Sequence, residues 1–149
     1  MGNSRPYPFL SHRTRHVLVA AEDPHFRKYV GEALLRAGYP VDVCGGQSSE
    51  ILARYRAEPP SLLIVDVKRE GLSGCEVVSE LRSRGARVPV ILLSGGPSGE
   101  AAAPRPGVEY LSKPFTMDML ELAIGRAFAR AFLEEMSPEA RGGPPSRSD

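Results

Sequence analysis

Short continuous apolar runs recur along the chain, and polar stretches with helical periodicity separate them. Val17 to Ala21, Val41 to Cys44, Leu62 to Val65 and Val90 to Leu93 read as strands; the second is short and carries Asp42, while the other three are continuously apolar, as expected of strands covered on both faces. A shorter run, Glu109 to Leu111, reads as a fifth. Between the first two runs, Phe26, Val30, Ala33, Leu34 and Ala37 recur at the spacing of one helix face. Asp23-Pro24 supplies a cap followed by proline at the first helical position, and Gly38 supplies the left-handed stop. Ser48 is expected to cap a short helix carrying Ile51, Leu52 and Tyr55, which Pro59-Pro60 ends. Cys75, Val78 and Leu81 mark the inner face of a third helix. This alternation predicts an α/β fold, with a parallel sheet covered by helices on both faces.

The rhythm falters after the fourth strand. Gly95-Gly96-Pro97-Ser98-Gly99 and Pro104-Arg105-Pro106-Gly107 flank only four residues, so a degraded fourth helix is expected. Thr116 then caps a long last helix with the stripe Leu120, Ile124, Ala127 and Ala131, widened by Met119, Leu122, Phe128 and Phe132. Its extension through Phe132, Leu133 and Met136 exceeds what the sheet should cover, which suggests a partner or a homodimer through this helix. Residues 1–16 read as a flexible leader, 17–136 as the folded domain and 137–149 as a disordered tail rich in Gly, Pro and Ser.

Composition narrows the function classes. The chain has 149 residues and a formal net charge of +1, so no global field draws it to nucleic acid or membrane. No window approaches the roughly 18 consecutive apolar residues of a membrane span, and residues 1–16 lack the apolar core of a signal peptide. A cytoplasmic location is the resulting expectation. Cys44 and Cys75 are the two cysteines, with no metal-ligand spacing around them. Only three lysines occur, Lys28, Lys68 and Lys113, and two of them lie near the candidate site.

That site is defined by what ends the apolar runs. Glu22 and Asp23 follow the first, Asp66 the third, Ser94 the fourth, and Lys113 follows Tyr110-Leu111. In an open parallel sheet, ligands bind at the carboxyl ends of the strands. Acids after two of these runs, a hydroxyl and a lysine, gathered there, can bind metal or phosphate.

In this arrangement the chain resembles the receiver domain of bacterial two-component response regulators. The resemblance runs from about Val17 to Ala131. It rests on Val17-Leu18-Val19-Ala20-Ala21-Glu22-Asp23-Pro24, Leu62-Leu63-Ile64-Val65-Asp66, Gly71-Leu72-Ser73-Gly74, Pro89-Val90-Ile91-Leu92-Leu93-Ser94-Gly95 and Tyr110-Leu111-Ser112-Lys113-Pro114-Phe115, in that order. It implies a doubly wound, flavodoxin-like sheet of five strands in the order 2-1-3-4-5. It also implies that Asp66 accepts a phosphoryl group from a histidine kinase or phosphotransfer protein, and that the chain signals by contact with a downstream protein. Glu22, Asp66 and the Lys68 backbone carbonyl match the Mg2+ ligands. Ser94 and Lys113 match the groups that contact the phosphoryl oxygens, and Ser94 and Tyr110 match the switch pair. Lys113-Pro114 matches a peptide bond that is usually cis in the family.

Three departures keep other readings open. Alignment on Pro24 and Arg27 puts Ala21 and Glu22 where an acidic pair is usual, so Mg2+ binding should be weakened. A shifted alignment would make Glu22-Asp23 the pair. Lys68 brings an ammonium group within two residues of Asp66, and Glu70 replaces a common proline. The Gly/Pro-rich stretch alters the face that carries output in relatives. A pseudo-receiver, a binding module that works without phosphorylation, is therefore the main alternative. A hydrolase using Asp66 as nucleophile lacks a placed histidine, since His12, His16 and His25 all lie near the N-terminus. No recognition-helix module marks a DNA-binding protein.

Overall fold

The computed structural model describes residues 16–67, 73–95 and 107–136. The apolar runs form the strands β1 (Val17–Ala20), β2 (Val41–Cys44), β3 (Leu62–Val67), β4 (Val90–Gly95) and β5 (Val108–Lys113). Among the described residues, helices α1 (Pro24–Arg36), α2 (Ser48–Ala57) and α3 (Ser73–Ser83) alternate with the first four strands, and α4 (Met117–Met136) follows β5. All strand pairs are parallel and the sheet order is β2-β1-β3-β4-β5, the expected one. Residues 96–106, on which the expectation of a degraded fourth helix falls, lie outside the described residues, as do 1–15 and 137–149.

Side-chain alternation divides the core into two layers. Val17, Val19, Leu62, Ile64, Ile91, Leu93 and Leu111 face one way and pack with Val30 and Leu34 of α1 and with Leu120, Ile124 and Phe128 of α4. Leu18, Ala20, Leu63, Val65, Val90, Leu92 and Val108 face the other way, against Ile51 of α2 and Val77, Val78 and Leu81 of α3. Covering both faces is what lets the central strands carry continuous apolar runs.

Local signals act largely as their chemistry requires. The Asp23 side chain accepts from the His25 N–H at 3.0 Å, which satisfies one unpaired donor at the start of α1. Gly38 follows α1 with φ of 100°, where a Cβ would be strained. Thr116 caps α4 through a 3.1 Å bond from the Met119 N–H. Ser48 departs from expectation. It is the first residue of α2, Gln47 holds the cap position, and no side chain bonds there. Ala37, the C-cap residue of α1, is exposed rather than on the inner face.

The last helix buries a narrower stripe than its composition suggests. Leu120, Ala123, Ile124, Ala127 and Phe128 are buried, whereas Met119, Leu122 and Leu133 are 42%, 63% and 64% exposed. α1 shares this face of the sheet, so α4 contacts the sheet over one side only. Its placement is further keyed by charge. Glu109 on β5 is buried, with Arg126 Nε 3.3 Å from one carboxylate oxygen and Arg130 Nη2 2.6 Å from the other.

Candidate functional site

β3 ends beside two strands, so Asp66 sits in the middle of the sheet at its carboxyl edge. Alternation aims it to the same side as Leu62 and Ile64, toward α1 and α4. Its side chain is only 9% exposed. Burial at that level demands a partner for a carboxylate. The partner is Lys113, whose Nζ lies 2.9 Å from Oδ1 and 3.0 Å from Oδ2. Lys113 belongs to β5, two strands from β3, or about 10 Å at ordinary strand spacing. Only a long side chain spans that gap, and the four-carbon stem of lysine does.

The ammonium group has a second neighbour. Nζ stands 4.6 Å from the centroid of the Phe26 ring, in the first turn of α1. Phe26 in turn meets Phe115 edge to face, with centroids 6.2 Å apart and planes at 80°. Phe115 follows Pro114, and the Lys113-Pro114 bond is cis.

On the β1 side, the register pairs Ala20 with Val65, so Ala21 comes level with Asp66. Ala21 is fully buried. Its N–H donates to the Cys44 carbonyl at 3.1 Å, and its carbonyl accepts from Arg27 Nη1 at 2.8 Å. Glu22 follows and is exposed. A Cβ on Gly46, in the β2–α2 turn, would come within 2.9 Å of Glu22 Cγ. The glycine thus makes room for the extra methylene of glutamate. Asp23, the other acid of the shifted alignment, is used as the cap of α1.

Ser94 pairs with Val67 on one side and Ser112 on the other, which sets its backbone one residue beyond the Asp66 level. Tyr110 lies opposite Leu92 and packs half-buried against the α2–α3 layer. Lys68 is outside the described residues. Cys44, near the same edge, has its thiol pushed up to about 11, chiefly by burial and then by the charge of Glu50. Among the described residues, no group of three or more His, Cys, Asp or Glu side chains is gathered for a metal ion. Also among them, no helix is long and apolar enough to cross a membrane.

Asp66 and Lys113 were singled out in the sequence. Phe26, Phe115, Arg27 and Gly46 were not. Phe26 reads there as one more apolar position on α1. The available signal was its place in the first turn of a helix that begins beside the site.

Comparison with known proteins agrees with this geometry. The family model described as the response regulator receiver domain matches residues 17–125. The probable transcriptional regulatory protein TcrX of Mycobacterium tuberculosis is 32% identical over 117 residues, covering 76% of this chain and 49% of that protein. The transcriptional regulatory protein GlrR of Escherichia coli is 31% identical over 132 residues, covering 87% of this chain and 28% of the relative. The chain therefore spans half or less of these relatives' length. Among solved structures, a response regulator receiver domain protein from Clostridium thermocellum superposes with a TM-score of 0.69 at 28% identity, covering 79% of this chain and 97% of that one. NtrX from Brucella abortus superposes with a TM-score of 0.72 at 26% identity, covering 81% of this chain and 29% of that one. A nearly buried aspartate bridged by a lysine from the last strand, on a 2-1-3-4-5 sheet that the family model spans from its first strand into its last helix, makes the chain a member of the response regulator receiver domain family.

Proposed function

We propose that Asp66 accepts a phosphoryl group from the phosphohistidine of a histidine kinase or phosphotransfer protein, in the cytoplasm, and that the chain signals by contact with a downstream protein. One observation carries this reading. The Lys113 ammonium bridges both oxygens of a nearly buried Asp66 at the carboxyl edge of the sheet. In the transfer, an Asp66 carboxylate oxygen attacks phosphorus, the P–N bond breaks, and the imidazole departs with its electron pair. Asp66 is left as an acyl phosphate. Such transfer needs positioning and charge neutralisation more than covalent help. Lys113 supplies a fixed positive charge at the attacked group. The Ser94 hydroxyl would receive a phosphoryl oxygen, and Tyr110 would follow its movement as the switch.

Mg2+ accepts one or two carboxylates and completes its shell with water and phosphate oxygens. Glu22 and Asp66, with the Lys68 carbonyl, would hold it, and when bound it would supply charge neutralisation at the phosphoryl oxygens. The donor chemistry fits, though with one carboxylate fewer than a complete acidic pair offers.

The test is intact-protein mass after incubation with acetyl phosphate, with and without Mg2+. A magnesium-dependent gain of one phosphoryl group, absent in Asp66→Asn, is expected. Ala21 at the Asp66 level favours a second reading, a pseudo-receiver acting by binding alone. Absence of an adduct under both conditions would decide for it.

The last helix supports a homodimer. Met119, Leu122, Arg126, Ala129 and Leu133 follow the alternating three- and four-residue spacing of a helix-pairing seam, and the three large apolar members are exposed. A second copy offers the same seam. Leu122→Glu with Leu133→Glu should convert a dimer to monomer in sedimentation; an unchanged coefficient would remove this seam as the interface.

A further inference from the structure

The Asp66–Lys113 pair leaves one question of geometry open. Lysine has a long, flexible stem and a compact charge with three donors. A carboxylate alone fixes where the charge goes but not the direction from which it approaches. A complete acidic pair would give the ammonium a second anionic wall, and Ala21 gives none. What lies 4.6 Å from Nζ instead is the Phe26 ring. The face of an aromatic ring carries negative potential and attracts a cation without accepting its proton. The ring is itself held. Its edge-to-face contact with Phe115 fixes its plane, and both rings pack on the α1–α4 layer.

We propose that Phe26 is the positioning residue for Lys113, its ring holding the ammonium over Asp66 in a site where Ala21 provides no charge. Phe26 itself touches neither the phosphoryl donor nor the attacked atoms. It acts through the lysine, by keeping the charge where the incoming phosphoryl oxygens will need it. The functional half of this inference rests on Asp66 being the phosphoacceptor; the contact itself does not.

Two readouts on one set of variants test it. The chain has three lysines, so carbon-13 labelling of lysine gives a spectrum simple enough to assign with Lys113→Arg. Ring current should displace the Lys113 ε-methylene signals upfield in the wild type. Phe26→Leu, which keeps an apolar group on the core, should return them to ordinary values, and Phe26→Tyr, which keeps the ring face, should not. Phosphorylation by acetyl phosphate should slow roughly two- to five-fold in Phe26→Leu, the range of a partly exposed cation–π contact, and recover in Phe26→Tyr. Should Phe26→Leu fail to fold, Phe26→Met serves as the ring-free variant. Lys113 signals unchanged by loss of the ring overturn the contact. Signals that move while the rate stays the same overturn the positioning role. A wild type that takes no phosphoryl group fails at an earlier step, removing the phosphoacceptor reading and the positioning role together.

Discussion

Ala21→Asp will tighten Mg2+ binding by on the order of 10- to 100-fold, the range by which metal affinity falls when a group supporting a ligand is lost. The substitution restores a carboxylate level with Asp66, on the neighbouring strand. Mg2+ prefers hard, anionic oxygen donors, and one more carboxylate raises both the donor count and the local negative charge. The same change gives Lys113 a second anionic neighbour, so the Asp66 carboxylate shares its cation and meets the metal more readily. Titration with Mg2+, followed by the lysine signals or by calorimetry, measures the effect. Equal affinities in the two proteins would mean that the β1 edge lies too far from Asp66 to share an ion, and would count against a family-like metal site.

Ile64→Ala is expected to cost about 2–5 kcal/mol of stability. Ile64 is fully buried in the α1–α4 layer, in a strand with neighbours on both sides. The strands around it are held by their ladders and cannot close over the lost volume. Against a typical total of about 5–15 kcal/mol, this should lower the midpoint of thermal unfolding by roughly 10 °C or more. Ile64→Val, which removes one methyl group, should cost only about 0.5–1.5 kcal/mol. Urea unfolding of the three proteins checks the order, provided the slopes agree. A loss below about 1 kcal/mol for the alanine variant would show that this layer is loosely packed or able to collapse.

The fold was legible because β1, β3 and β4 carry continuous apolar runs and the helices between the strands repeat at their own period. Those two signals also placed Asp66, since a charged residue closing a buried run must lie at the sheet's edge. They could not show which side chains meet. The Lys113 contact crosses 47 residues of sequence and an intervening strand, and only sheet order brings it about. Periodicity assigned Phe26 correctly to the inner face of α1, but a face does not name its neighbours, so its contact with the lysine was hidden. The same limit applies to α4. Met119 and Leu122 looked like core because they are apolar, yet the width of the buried stripe is set by what else shares that side of the sheet. Gln47 in place of Ser48 at the start of α2 is a smaller case: the extended cap position falls one residue earlier than the cap-forming side chain.

Lys113 and Tyr110 stand three residues apart on β5, an odd number, so they belong to opposite sides of the sheet. Asp66 and its cation address the α1–α4 layer, and the tyrosine addresses the α2–α3 layer. The packed interior of the sheet separates the carboxylate from the phenol. A route through the described residues runs along the backbone of β4 and β5, the strands that lead from Asp66 to Tyr110. Stiffness of the β4–β5 ladder, which carries both Ser94 and Tyr110, would then govern how faithfully the event on one side is reported on the other.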